Sequence, residues 1–133
     1  MKIHHVAISV SDIKRARDWY MDIFELRLFA EYTKNQKKFC LLSGDNFKIE
    51  LIESMDFSKP LPDYRKSLQS DLQTVGTKHF CYEVGNLSRE ISRLKELAVE
   101  FEKEISEAGF GGFYSFVKDL DGNLIEIWSK TLD

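Results

Sequence analysis

The chain carries nearly the same instruction twice, and that repetition limits its fold more than any other feature. The stretches "HHVAISVSDIKRARDWYMDIF" (4–24) and "KHFCYEVGNLSREISRLKELA" (78–98) share one order. Each has a histidine in an alternating apolar run that ends in valine, then a polar turn, then an amphipathic segment. Later, "FKIELIE" (47–53) and "NLIEIWS" (123–129) each set one glutamate inside an apolar strand. His5 and His79 are 74 residues apart and Glu50 and Glu126 are 76 apart, so the two spacings agree to within two residues. A tandem duplication accounts for this. The fold must therefore be one that a half-length module can make and then make again.

Each module reads as strand, helix and three strands. In the first, alternation marks a strand over 2–10, and Ser11 or Asp12 is a suitable N-cap for a helix over 12–23. On that helix Ile13, Ala16, Trp19, Tyr20 and Ile23 recur every three or four residues and make one apolar face. Strands follow over 26–33, 37–43 and 47–53, with "SGDN" turning between the last two. The run "KNQKK" (34–38) is a solvated hairpin flank. The second module repeats the order: strand 76–84, helix 87–99, then strands 101–107, 112–118 and 123–129, with "DLDGN" as the turn. Between them, "SMDFSKPLPDYRKSLQSDLQTVG" holds the only two prolines and reads as a connector with a short helix over 63–72. The expected class is α+β: one domain over 1–133, built as module 1 (1–53), connector (54–75) and module 2 (76–133). Two tandem β-α-β-β-β modules would form a curved mixed sheet around a cleft, with helices outside.

Period-two alternation assigns the faces of each strand. Val6, Ile8 and Val10 belong under the first helix, which leaves His5, Ala7 and Ser9 opposite. In the second module Phe80, Tyr82 and Val84 face the helix, and His79, Cys81 and Glu83 turn away. Around the glutamates, Ile49 and Leu51 and then Ile125 and Ile127 pack inward. Glu50 and Glu126 therefore face the other way. Four residues, His5, Glu50, His79 and Glu126, come out on the face away from the helices. Half-buried carboxylates need a partner, and a divalent metal is one, because imidazole nitrogen and carboxylate oxygen are its usual ligands. Taken alone, His5 would read as an ordinary structural histidine; the repeat and the shared face are what raise it to a ligand. His4 points the opposite way and reads as structural. Glu53 falls on the helix side near a strand end and reads as solvated. Glu83 shares the site face and suits the rim. Phe39, Phe113, Tyr114 and Phe116 could line a cleft or simply pack in the core.

These segments resemble the vicinal oxygen chelate superfamily, which includes glyoxalase I, methylmalonyl-CoA epimerase, fosfomycin- and bleomycin-resistance proteins and extradiol dioxygenases. The resemblance rests on "HHVAISVSDIKRARDWY", "KIELIE", "GTKHFCYEV" and "DLDGNLIEIW", and only 54–75 lies outside it. Leu120 stands where the family usually has proline. The set His5, Glu50, His79 and Glu126 is similar to the metal ligands of glyoxalase I. The resemblance implies one divalent metal, nickel, zinc, cobalt or manganese, with iron less favoured. It implies a lyase or isomerase acting on a small α-hydroxycarbonyl or thiol adduct through a metal-stabilised enediolate, with Glu126 as the base and Glu50 as the second catalytic carboxylate. Bacterial glyoxalase I typically carries arginine four residues after the first histidine and asparagine four after the first glutamate, both for glutathione. Here those positions are Ser9 and Ser54, which suits another small carbonyl, thiol or acyl-thioester substrate. The same fold also serves resistance enzymes, epimerases and metal-free drug-binding proteins, so fold alone does not choose. The dioxygenase reading fits less well, because it needs two histidines and one carboxylate and Glu50 is in excess.

Composition narrows the partners. A net charge of −3 over 133 residues argues against a nucleic-acid binder. No apolar run approaches the roughly 20 residues that span a bilayer. The N-terminus lacks a signal-peptide core. A cytoplasmic protein with a small-molecule substrate, no membrane partner and a homodimeric assembly is expected. Cys40 and Cys81 sit in apolar runs, so both are expected to be buried and unpaired.

Overall fold

The computed structural model describes residues 1–56 and 58–133, which form two compact units, Met1–Pro60 and Leu61–Asp133. Unit 1 runs β1 (Val6–Ser9), α1 (Ile13–Phe24), β2 (Arg27–Lys34), β3 (Lys37–Ser43) and β4 (Lys48–Ser54). Unit 2 starts with a 3-10 turn (Asp63–Arg65) and α2 (Leu68–Leu72). It continues with β5 (Phe80–Glu83), α3 (Leu87–Glu96), β6 (Glu100–Glu107), β7 (Phe113–Lys118) and β8 (Leu124–Ser129). The α+β class and the doubled β-α-β-β-β order are as the sequence predicts. Each module closes a four-stranded mixed sheet of its own, ordered β1-β4-β3-β2 and β5-β8-β7-β6.

The same local chemistry starts both long helices. Asp12 is extended and its carboxylate accepts from the Arg15 amide at 3.1 Å; Asn86 does the same for Arg89 at 2.7 Å. Each removes one of the orphan amides at a helix start. Ala16, Tyr20 and Ile23 bury the inner face of α1, and Leu87, Ile91 and Leu94 that of α3. α1 packs on β3 and β4, and α3 on β7 and β8. Under them lie Leu42, Ile49 and Leu51 in unit 1 and Val117, Ile125 and Ile127 in unit 2, all essentially solvent-free. Burying each such side chain contributes about 1.5–3 kcal/mol.

The first strand of each module is shorter than its alternation suggests. β1 covers only Val6–Ser9 and β5 only Phe80–Glu83, against expected spans of 2–10 and 76–84. Both are edge strands, and a strand persists only where a partner offers a ladder. β1 pairs in parallel with β4 from Val6↔Ile49 to Ser9↔Ile52, and β5 with β8 from Phe80↔Ile125 to Glu83↔Trp128. His5 and His79 thus sit just before their strands. The helix expected over 63–72 is two pieces, and it belongs to the compact second unit. Ser67 caps α2 by accepting from the Ser70 amide, and Glu102 of β6 accepts from the Leu68 amide at 2.9 Å.

Two turns follow their residues closely. Asn35 and Gln36 take positive φ angles of 50° and 60°, closing the two-residue hairpin between β2 and β3. Before β8, the buried Asp119 carboxylate accepts from the Asp121 and Asn123 amides, and Gly122 supplies the φ of 87° that the turn needs.

Candidate functional site

Registers place the candidate ligands identically in the two units. Glu50 stands opposite Ala7 across the β1–β4 ladder, and Glu126 stands opposite Cys81 across β5–β8. In each case the histidine precedes that opposite residue by two positions, so it shares the glutamate's face. Alternation then buries Ile49 and Leu51, or Ile125 and Ile127, under the helix. The glutamates are left half-buried on the other side, with side chains 17% and 15% exposed.

The pairs differ in closeness. His79 Nε2 lies 3.0 Å from Glu126 Oε2, a hydrogen bond, whereas His5 Nε2 lies 4.0 Å from Glu50 Oε1. Phe116, in register with Glu126, meets the His79 ring edge-on with centroids 4.7 Å apart. His5 is more open. Its Nδ1 contacts Nδ1 of exposed His4 at 2.9 Å, so one imidazole donates and the other accepts. Among the described residues, His79 Nδ1 is shut off from solvent and has no hydrogen-bond partner.

Among the described residues, no three His, Cys, Asp or Glu side chains gather to hold a metal ion; what each unit presents is a His–Glu pair. The donor chemistry of both pairs suits a divalent cation, since each offers one imidazole nitrogen and one carboxylate oxygen. The pairing of His79 with Glu126 also leaves its other, buried ring nitrogen without a partner among the described residues.

Two expectations are corrected. Cys81 is exposed, not buried, because it lies on the face away from α3; Cys40 is buried as expected. Desolvation of the Cys81 thiol, followed by the Glu126 and Glu83 carboxylates, pushes it up to about 12. Burial pushes Cys40 up to about 11. Both are therefore neutral thiols near pH 7. The second correction concerns Glu53, which is half-buried and employed: its Oε2 accepts from the Ile13 amide at 3.2 Å and lies 3.7 Å from Lys38 Nζ. It neutralises the start of α1. In the other unit the Leu132 carbonyl serves the α3 start by accepting from the Ser88 amide. His4, expected in the helix layer or at the strand edge, lies exposed just before the edge strand β1, against His5.

Sequence reasoning missed Asp71 altogether. Its carboxylate is buried, with Lys78 Nζ at 3.4 Å and Arg65 Nε at 3.5 Å; Lys78 also donates to the Asp71 carbonyl at 2.7 Å. This ties α2 to the residue beside His79. Only the position of Lys78 next to His79 hinted at it.

Residues 2–127 match the family model of the glyoxalase/bleomycin resistance protein/dioxygenase superfamily. The uncharacterized protein YwkD of Bacillus subtilis is 26% identical, covering 96% of each chain. An ethylmalonyl-CoA/methylmalonyl-CoA epimerase of Cereibacter sphaeroides is 25% identical, covering 95% of this chain and 96% of that one. The crystal structure of a glyoxalase family protein from Enterococcus faecalis superposes with a TM-score of 0.78 at 23% identity, covering 96% of each chain. Doubled β-α-β-β-β modules and a model match over nearly the whole length place this chain in the glyoxalase/bleomycin resistance protein/dioxygenase superfamily.

Proposed function

We propose that this chain is a metal-dependent isomerase or lyase of glyoxalase I type, moving a proton next to a carbonyl group of a small α-hydroxycarbonyl or thiol adduct. The observation that carries the proposal is the repetition of one His–Glu pair, at one register, on the open sheet face of both units. A packing role would not require both residue types to recur together. In this reading His5, Glu50, His79 and Glu126 are ligands for a divalent ion. When bound, such an ion supplies positive charge that stabilises the oxygen of a developing enediolate.

The rest falls to the chain's own groups. Glu126 takes the proton from carbon, a role that suits a half-buried carboxylate held by one hydrogen bond. His79 Nε2 and the Glu126 carboxylate lie 3.0 Å apart, close enough that both could face the ion, and Phe116 packs edge-on against the imidazole. Returning the proton to the neighbouring carbon needs only Glu126 and completes an isomerisation.

A second reading is favoured by the epimerase among the relatives and by Ser9 and Ser54, which leave out the glutathione-binding residues. In it the substrate is an acyl thioester, and Glu50 returns the proton to the opposite face of the same carbon. The two carboxylates then act as a pair of bases, one on each side.

Proton exchange distinguishes these readings. The hemithioacetal of a 2-oxoaldehyde with a small thiol and methylmalonyl-CoA are each incubated in D2O, and deuterium at the carbon next to the carbonyl is followed by NMR. Glu126→Gln should slow exchange about a thousandfold. Glu50→Gln also removes a proposed ligand and should damage both reactions, so the substrate that exchanges, and not this variant, separates the readings. No exchange with either substrate in the metal-loaded protein contradicts the proposal.

A further inference from the structure

Beside the His79–Glu126 pair, unit 2 carries an aromatic ledge that the proposed proton transfer does not use. Trp128 follows Glu126 by two residues on β8, on the same face and about 7 Å along the strand. Its indole is fixed from two sides. Nε1 donates to the Gly111 carbonyl at 3.0 Å, and Phe110 stacks on the ring with centroids 5.8 Å apart at 29°. Gly112 makes this approach possible: a Cβ there would lie 2.7 Å from the indole, and its φ of 80° disfavours any other residue. Phe110 nevertheless remains 80% exposed. A phenyl ring held against a fixed indole, yet open to water, is half of a sandwich.

The ledge also carries a charge. Tyr114 stands opposite Trp128 in the β7–β8 ladder, and Lys103 Nζ lies 5.7 Å from the Tyr114 ring centroid. Lys103 pairs in register with Phe116, which puts it on the same face. Among the described residues its ammonium has no carboxylate partner. A planar ring can therefore stack on Phe110 and Trp128 while an anionic substituent meets Lys103.

We infer that this ledge is a subsite for the aromatic part of the substrate, and that the substrate class is an aromatic carbonyl acid or its thiol adduct. The inference rests on the proposed proton transfer at Glu126 for its reacting end. The two-residue spacing of Trp128 from Glu126 favours a ring carried close to the reacting carbon.

Trp128 itself reports the test. The chain has two tryptophans, so a Trp19→Phe background leaves Trp128 as the only indole emitter. In that protein phenylpyruvate should quench emission and bind about tenfold or more tighter than pyruvate, the scale of one stacking contact. Phe110→Ala, an exposed change that spares the core, should erase the difference between the two probes. Lys103→Met should weaken phenylpyruvate about tenfold and leave the neutral phenylacetone unchanged. Equal binding of pyruvate and phenylpyruvate, or no quenching, overturns the subsite. So does a fall in molecular mass on Phe110→Ala, which would show a second copy of the chain covering the ledge. Quenching without proton exchange keeps the subsite and sinks the proposed function; exchange without quenching does the reverse.

Discussion

The two units share a plan and differ in how polar their interiors are. Among the described residues, the buried side chains of unit 1 are hydrophobic ones, with Tyr20 and Cys40 the most polar, whereas Asp71, Ser115, Asp119 and Ser129 are all buried in unit 2. The catalytic candidates follow the same division. His79–Glu126 is a close hydrogen bond screened by Phe116, while His5–Glu50 is separated by 4.0 Å and His5 reaches outward to His4. Duplication supplies the register of both pairs. What unit 2 adds is a buried carboxylate, Asp71, that ties α2 to Lys78, the neighbour of His79. The proposed proton transfer is therefore assigned to the closer pair, His79–Glu126.

Breaking the Asp71 tie should have the largest effect on stability. Asp71→Ala leaves Arg65 and Lys78 facing a void in place of a buried carboxylate, at a cost of about 3 kcal/mol in chemical denaturation. Asp71→Asn keeps the volume and should recover part of it. A loss below 1 kcal/mol for the alanine variant would show that the strap is idle and that the units differ less than described.

A smaller effect tests the helix starts. Glu53→Gln weakens the contacts to the Ile13 amide and Lys38 in unit 1 and should cost about 1–2 kcal/mol in the same assay. α3 draws on a backbone carbonyl instead, which no side-chain change removes. An unchanged midpoint would return Glu53 to the solvated role its position in the sequence suggested.

The smallest effect depends on pH. Burial alone would raise the Glu102 carboxyl, but the Leu68 amide and the Lys118 ammonium prevail and hold it below the usual glutamate range. A depressed carboxyl stabilises the fold above its unfolded value, about 4.3, and that contribution is lost as pH falls through the folded value. Glu102→Gln should therefore cost about 1 kcal/mol at pH 7, with the gap to the native protein closing as pH drops below about 4. A gap that does not change with pH would mean that packing, not charge, ties α2 to β6.

Much of this was legible because it depends on local periodicity. Alternation at 47–53 and 123–129 fixes which side Glu50 and Glu126 face, whatever the rest of the chain does. Helix spacing and the caps Asp12 and Asn86 are equally local. Contacts between distant residues left no such trace. Glu53 meets Ile13 across 40 residues, and Asp71 sits on a five-residue helix too short to show a period. Cys81 is a different case: its parity marked it as outward-facing, but the apolar run around it suggested burial.

The central proposal is that His5, Glu50, His79 and Glu126 are ligands for a divalent ion. Elemental analysis of the purified chain and of His5→Ala, Glu50→Gln, His79→Ala and Glu126→Gln tests it most directly. The account predicts one equivalent of nickel, zinc, cobalt or manganese per chain, lost or sharply reduced in every variant whichever unit carries the change. A metal-free protein, or metal retained when either unit's pair is broken, would contradict it.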